Sequence, residues 1–319
     1  MKYYVGIDLG GTNIAVGVVD ECYHIVGRGK LKTAPPRAAE LVADDMATAA
    51  GMALQDAGVD ISQVEWVGIG TPGTVNQETQ EIEYSNNLQF HHVPMIRLIE
   101  ERLGKMAYME NDANAAVYGE ALAGAAKGHR NVIGITLGTG VGGGVIIDGK
   151  IYSGFNFAGA ELGHTVIVYD GKLCTCGRKG CFEAYSSASG LIGITKDYLI
   201  KHPDSEILKM LEGDITKVNG RTAFQAMRAG VEGGQEIVDT YVSYLGCGIV
   251  NMVNIFQPEI LFLGGGISKE GEALLRPLRE QVKREVFSKY AQKSTELCIA
   301  QLGNDAGIIG AAFLGNLYA

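Results

Sequence analysis

The sequence predicts an α/β protein built from two related domains, and three observations carry that prediction. Apolar strand-like runs alternate with helical stretches along the chain, the order expected of an α/β fold. The 319 residues are enough for two domains of roughly 100–200 residues each. Val5-Gly6-Ile7-Asp8-Leu9-Gly10 returns 128 positions later as Ile133-Gly134-Ile135-Thr136-Leu137-Gly138, each time before a glycine-rich turn and a second apolar strand. A matched pair of strand–turn–strand units points to duplication.

Taken in order, Tyr3 to Ile7 is a strand that ends in Asp8-Leu9-Gly10-Gly11-Thr12, and the apolar run Ala15 to Val19 follows at once. Two strands joined by a glycine turn form a hairpin. Ala38 to Gly58 reads as a helix with a glycine stop. Trp66 to Gly70 is a strand that Thr71-Pro72-Gly73 turns away. An alanine-rich helix runs from Ala113 to Ala126, directly after Glu110-Asn111-Asp112. The second hairpin begins at Ile133, passes through Leu137-Gly138-Thr139-Gly140-Val141-Gly142-Gly143-Gly144 and returns along Val145 to Ile147. Ile260 to Leu263 is a strand entering Gly264-Gly265-Gly266, and Asp305 to Leu317 is a closing helix. The boundary is expected near Asp112, giving a smaller domain of residues 1–114 plus 305–319 and a larger one of 115–304.

Composition excludes several classes of function. A formal net charge of −9 argues against nucleic acid, whose binding needs a basic face. No run of ~20 apolar residues is long enough to span a bilayer, and no cleavable leader pattern precedes the first strand. A cytoplasmic protein is expected. Of six cysteines, Cys174, Cys176 and Cys181 are clustered while Cys22, Cys247 and Cys298 stand alone in apolar surroundings. In an intracellular chain such clustering indicates metal binding rather than a disulfide framework.

The glycine turns have a phosphate-binding logic. Glycines let backbone N–H groups point at phosphate oxygens, Thr12 adds a hydroxyl donor, and Asp8 can hold Mg²⁺ through water. Neither turn opens a helix, so a dinucleotide-binding fingerprint fails in context, and no G-x-x-x-x-G-K-[ST] loop exists. Two such turns on facing domains match the actin-like ATPase (ribonuclease H-like) arrangement, with a nucleotide and substrate cleft between duplicated domains. Asp112, just before a helix, is by spacing alone an N-cap; the alternative role is a proton acceptor. His164 precedes Cys174, Cys176 and Cys181 by about ten residues. One His and three Cys make the donor set of a closed structural zinc site, which leaves no open position for chemistry.

Together, D-L-G-G-T at the start, E-N-D-A-N at 110–114, L-G-T-G-V-G-G-G at 137–144, E-L-G-H at 161–164, C-T-C-G-R-K-G-C-F-E at 174–183 and L-G-G-G-I-S at 263–268 resemble the ROK family, and within it the bacterial glucokinase-type sugar kinases, over essentially the whole chain. The resemblance implies that Asp8, Gly10, Gly11 and Thr12 hold the phosphates of ATP and the Mg²⁺ environment, joined by Gly138 and Thr139 from the second turn. Gly264, Gly265 and Gly266 approach the adenosine. Asn111, Glu161, His164 and Glu183 bind sugar hydroxyls, Asn87 lies near the sugar, and Asp112 is the general base. His164, Cys174, Cys176 and Cys181 hold Zn²⁺, so that His164 serves metal and sugar through its two ring nitrogens. Glucose is the expected substrate; N-acetylmannosamine, N-acetylglucosamine, fructose, mannose and allose are alternatives within the same motifs. A homodimer is implied. The family's transcriptional repressors carry an N-terminal helix-turn-helix domain; here the first strand begins at Tyr3, so a sugar-responsive regulator is the lesser expectation, as is an actin-like ATPase with a protein partner.

Overall fold

The computed structural model describes all 319 residues, which separate into two compact units. The first comprises Met1–Val132, Gly144–Ala160 and Gln301–Ala319; the second comprises Ile133–Gly143 and Glu161–Ala300.

In the first unit, β1 (Tyr3–Leu9), β2 (Asn13–Asp20) and β3 (Ile25–Lys32) form an antiparallel meander, followed by α1 (Ala39–Ala57) and β4 (Val64–Thr71). A small antiparallel sheet of β5 (Thr74–Asn76), β6 (Glu81–Ser85) and β7 (Phe90–Val93) comes next, then α2 (Met95–Leu103), β8 (Ala107–Asn111) and α3 (Asp112–Ala123). The main sheet takes the order β3-β2-β1-β4-β8, with β4 parallel to both β1 and β8. Its buried residues (Val5, Ile7, Leu9, Ile14 and Ile69) pack with Met46, Ala49, Ala50 and Ala53 of α1 into one core.

The chain continues through β9 (Val132–Leu137), β10 (Val141–Ile147) and β11 (Lys150–Ile151). A helical stretch follows: α4 (Glu183–Ser186), α5 (Ala188–Lys201), α6 (Glu206–Met210), α7 (Thr222–Arg228) and α8 (Gly234–Phe256). Then come β12 (Ile260–Gly265), α9 (Glu272–Glu285), β13 (Glu296–Ile299), α10 (Asp305–Ala312) and α11 (Gly315–Tyr318). The second main sheet takes the order β11-β10-β9-β12-β13 and repeats the first strand for strand: a meander, then a parallel pair. The duplication expected from two matching hexapeptides thus extends to whole sheets. In the second unit Phe182, Phe224, Tyr241, Leu245 and Ile249 are fully buried, and the Tyr241 hydroxyl donates to the Ser186 carbonyl (2.7 Å).

The units divide the chain differently from the expected partition at 114/115. Helix α3 stays with the first unit because it packs backbone to backbone on α10: a Cβ on Gly119 would stand 2.1 Å from the Ala306 carbonyl oxygen. The buried Glu120 carboxylate adds to this, accepting the amides of Ala125, Gln301 and Leu302. The closing helix is also two pieces, α10 and α11. Trp66 Nε1–H donates to the carbonyl of Ala312, the last residue of α10 (2.8 Å). Phe313 turns into Tyr4 and Tyr23, and Gly315 fits under the Trp66 ring, where a Cβ would be 2.4 Å from Cε2.

Glycine within strands does a different job from glycine in turns. A Cβ at Gly6 or Gly68 would lie 2.0 or 1.7 Å from a carbonyl oxygen of α10. Only glycine lets that helix settle on β1 and β4, which brings Gly307 to the end of β1, where its absent Cβ would be 3.2 Å from the Asp8 carboxyl.

Candidate active site and metal centre

The first unit gathers two acids at the ends of β1 and β8, the strands on either side of β4. Asp8 lies at the end of β1, and Asp112 follows β8 as the first residue of α3. Gly70, on β4, packs between them: its Cβ would be 3.6 Å from the Asp112 Cα and 3.8 Å from the Ile7 carbonyl. Burial, and then the charge of Asp112, raises the Asp8 carboxyl to about 6. Asp112 is not the helix cap that its spacing suggested. Asn111 is: its side-chain oxygen accepts the amides of Ala113 (2.9 Å) and Asn114 (3.2 Å), while its Nδ2 donates to the Gly73 carbonyl (3.1 Å). Asp112 instead sits in the first turn, accepting the Ala113 amide at 2.8 Å. That position lies at the positive end of the helix dipole.

The glycine turn beside Asp8 is held from outside. Gly10 N–H donates to the Asn13 carbonyl (2.9 Å). Thr33, fully buried beyond the end of β3, donates its hydroxyl to the Gly10 carbonyl (2.6 Å) and its amide to the Thr12 carbonyl (3.0 Å). Asn87 lies along Gly11, where a Cβ would come within 3.4 Å of its side chain. Asp8 and Gly10–Asn13 open into a cleft of about 690 Å³ that Lys30 and Arg28 also line. Arg28 is engaged bidentately by Asp305 at 2.8 Å, so Lys30 is the cation of the cleft without an ion pair.

In the second unit, Gly138 N–H closes the other turn on the Gly140 carbonyl (3.0 Å), one residue tighter than its counterpart. The Ala188 amide donates to the Gly138 carbonyl (2.8 Å), and the Ser189 hydroxyl donates to the Thr139 carbonyl (2.9 Å). Gly138, Thr139 and Gly266 line a cleft of about 810 Å³ together with Asn219, Arg221 and Gln225. Gly265 adopts φ +87°, with its Cα so close to Leu137 that a Cβ would lie 2.5 Å from that carbonyl oxygen; Gly264 packs inside the sheet near Thr136 and Ala300.

The candidate metal site is local. The ligand atoms of His164, Cys174, Cys176 and Cys181 lie within 4.8 Å of one another. Cys176 Sγ and Cys181 Sγ are 3.6 Å apart, and Cys174 Sγ is 3.7 Å from His164 Nδ1. Donors on a tetrahedral zinc with ~2.3 Å Zn–S bonds stand about 3.8 Å apart, so the geometry fits zinc. Nδ1 is the nitrogen turned toward the sulfurs. Burial pushes the Cys181 thiol up to about 12 and raises Cys174, while the Arg178 amide lowers Cys176. Metal binding here would require all three thiols to lose their protons. Glu183 links this cluster to the glycine turn: one oxygen accepts the Val141 amide (3.0 Å) and the other accepts Thr175 Oγ1 (3.1 Å) and Cys174 Sγ (3.5 Å). Glu161 is exposed, one helical turn before His164, whose amide donates to its carbonyl (3.1 Å).

Within the first unit the fold therefore collects Asp8, Gly10, Gly11, Thr12, Asn87, Asn111 and Asp112. Within the second it collects Gly138, Thr139 and Gly266 at one cleft, and His164, the three cysteines and Glu183 at the cluster. Sequence reasoning missed Thr33, Lys30, Asn219 and Arg221, which carry no motif. It also passed over Glu110, although that residue stands inside the quoted E-N-D-A-N.

The ROK family model matches residues 4–316. A glucokinase of Streptomyces coelicolor is 37% identical over 316 residues, which are 98% of this chain and 98% of its own length. The crystal structure of a ROK family glucokinase from Streptomyces griseus in complex with glucose and AMPPNP aligns with a TM-score of 0.78 at 37% identity, covering 98% of both chains. The ROK hexokinase of Thermus thermophilus aligns with a TM-score of 0.80 at 32% identity, over 99% of this chain and 97% of that one.

Proposed function

The chain belongs to the ROK family, and from that premise we propose that it is an ATP-dependent glucose kinase, transferring the γ-phosphoryl group of ATP to the 6-hydroxyl of the sugar. The observation that carries the reading is the placement of Asp112 in the first turn of α3 beside Asp8, in a chain that aligns end to end with glucokinases.

Asp112 takes the proton of the attacking hydroxyl. Phosphoryl transfer relies mainly on positioning and charge stabilisation, so an acceptor that aligns the hydroxyl and takes its proton late is sufficient. Asn111 fixes that carboxylate by capping the helix and offers its amide to the sugar; Glu161, His164, Glu183 and Asn87 supply further directional partners for hydroxyls. Gly10, Gly11 and Thr12 of one turn, and Gly138 and Thr139 of the other, present backbone and hydroxyl donors to phosphate. Gly264, Gly265 and Gly266 border the nucleoside. Asp8 would hold Mg²⁺, an ion that takes one or two carboxylates and keeps several waters. The fit is good, since this half-buried acid with a second acid beside it lacks a cation. When bound with ATP, magnesium neutralises charge on the phosphates.

Zn²⁺ on His164 Nδ1, Cys174, Cys176 and Cys181 would be structural. It would fix the loop bearing His164 and Glu183 and leave His164 Nε2 for sugar. We further propose a homodimer that works in the cytoplasm with sugar and ATP and without nucleic acid or membrane. ADP release coupled to a panel of glucose, mannose, fructose, allose, N-acetylglucosamine and N-acetylmannosamine tests the reading. The highest kcat/KM is expected for glucose. A different winner moves the substrate, and no sugar-dependent ADP release with any of them sinks the kinase.

A further inference from the structure

Glu110 is a buried carboxylate, 2% exposed, that binds no nucleotide or sugar in the reading above. Its two oxygens serve different parts of the first unit. Oε2 accepts the hydroxyl of Tyr318 on α11, the hydroxyl of Ser153 after β11 (3.2 Å) and the Gln77 side-chain amide from the β5–β6 turn (3.3 Å). Oε1 accepts the Asn111 amide (2.8 Å) and the Asn114 side-chain amide (3.0 Å), both at the start of α3. Three segments distant in sequence are thus tied, through one side chain, to the cap and first turn that carry Asp112.

We propose that Tyr318 is a positioning residue for the catalytic aspartate, acting through Glu110. A buried carboxylate must be held by several donors. Here the donors also fix its direction, and its direction fixes the Asn111 amide. The Tyr318 hydroxyl is a permanent donor, because burial and then the Glu110 charge raise its pKa well above the usual range. Ser153 begins a closed loop whose neck is the Gly159 amide on the Ser153 carbonyl (2.8 Å), so the same carboxylate also anchors that loop.

The inference rests on the kinase reading, and the test separates the two. Steady-state kinetics and thermal melts are measured for wild type, Tyr318→Phe, Glu110→Gln and the double variant, with glucose and ATP. Tyr318→Phe keeps the ring that fills the space and removes only the hydroxyl. We expect its kcat to fall about tenfold, within the roughly hundredfold that an ångström of misplacement costs, with KM for ATP within about twofold of wild type. The double variant should be no slower than Glu110→Gln alone, since residues acting through one group are non-additive. A Tyr318→Phe enzyme that melts lower yet turns over at the wild-type rate would make the contact merely structural and overturn the proposal. So would losses in the two single variants that multiply in the double. Should Glu110→Gln fail to fold, Tyr318→Phe alone decides through kcat against KM. An inactive wild type would instead remove the kinase reading itself.

Discussion

The two glycine turns share one hairpin design but differ in the side chains around them. Both follow a buried strand with the same Gly-Ile-x-Leu-Gly run, and both enter sheets of identical strand order. At matching positions the first has Asp8 and the second Thr136. The first is braced by Thr33 and has a second acid, Asp112, beside its own. The second contains no acid; it is closed one residue tighter and braced by Glu183, which also reaches the His164–cysteine cluster. Both turns offer backbone donors, which any phosphate can use, while only the first carries an acid at the matched position. In the function proposed above, reaction chemistry falls to the first turn, and binding and scaffolding to the second.

Asp112→Asn puts the greatest strain on that contrast. Because Asn111 is the cap, the substitution leaves helix capping untouched, and the melting temperature should stay close to wild type. A positioned acid–base group contributes about 10²–10⁴-fold, so kcat should fall at least a hundredfold, with KM for ATP little changed. A folded variant retaining most of its turnover would move the base elsewhere, with Glu161 the first candidate.

Asp8→Asn comes next. Loss of the acid proposed to hold magnesium through water should cost about 10–100-fold in turnover. Stability should move the other way. The folded-state carboxyl titrates near 6 against 3.8 in its unperturbed state. Between those values the folded protein binds a proton that the unfolded chain has released. The acid's contribution is therefore most favourable below pH 4 and is lost as pH rises toward 6, after which it is constant. The metal-free variant should melt a few degrees above wild type at pH 7–8, and the gap should close in acid. Melts of both proteins across pH 4–8 read this directly; equal curves would mean that Asp8 has a partner other than the phosphate-bound metal.

A smaller effect should follow in the second unit from Cys176→Ser. Zinc content, measured by metal analysis, should drop below one per chain, and KM for sugar should rise about five- to tenfold as His164 loses its fixed orientation. The rest of that unit has its own buried core, so far-UV circular dichroism should be nearly unchanged. Full zinc occupancy in a triple variant of Cys174, Cys176 and Cys181 would remove the metal assignment. Smallest of all, Arg221→Ala, at the cleft beside Gly138, should raise KM for ATP about threefold, the scale of one exposed charge contact, while sparing kcat. A large fall in kcat instead would bring the second turn into the chemistry and end the division of labour.

What the sequence determined by itself is what short-range rules encode. The hairpins, the glycine stop of α1 and the Cys₃His cluster follow from spacing within a few residues, because steric freedom, capping and ligand geometry act over that range. Asn111 and Asp112 were visible as a pair, but which of them caps depended on a single residue of register that spacing alone does not resolve. The middle of the chain gave weaker signals, and helices α4–α8 and the β5–β7 sheet were not anticipated there. Tertiary structure alone decided that Gly6 and Gly68 are seats for α10, that Thr33 clamps Gly10, and that Gln77, Ser153 and Tyr318 converge on Glu110. The partners in these contacts stand from 23 to 302 residues apart. Their meeting is set by strand order and helix packing, to which no local pattern of residue types is sensitive.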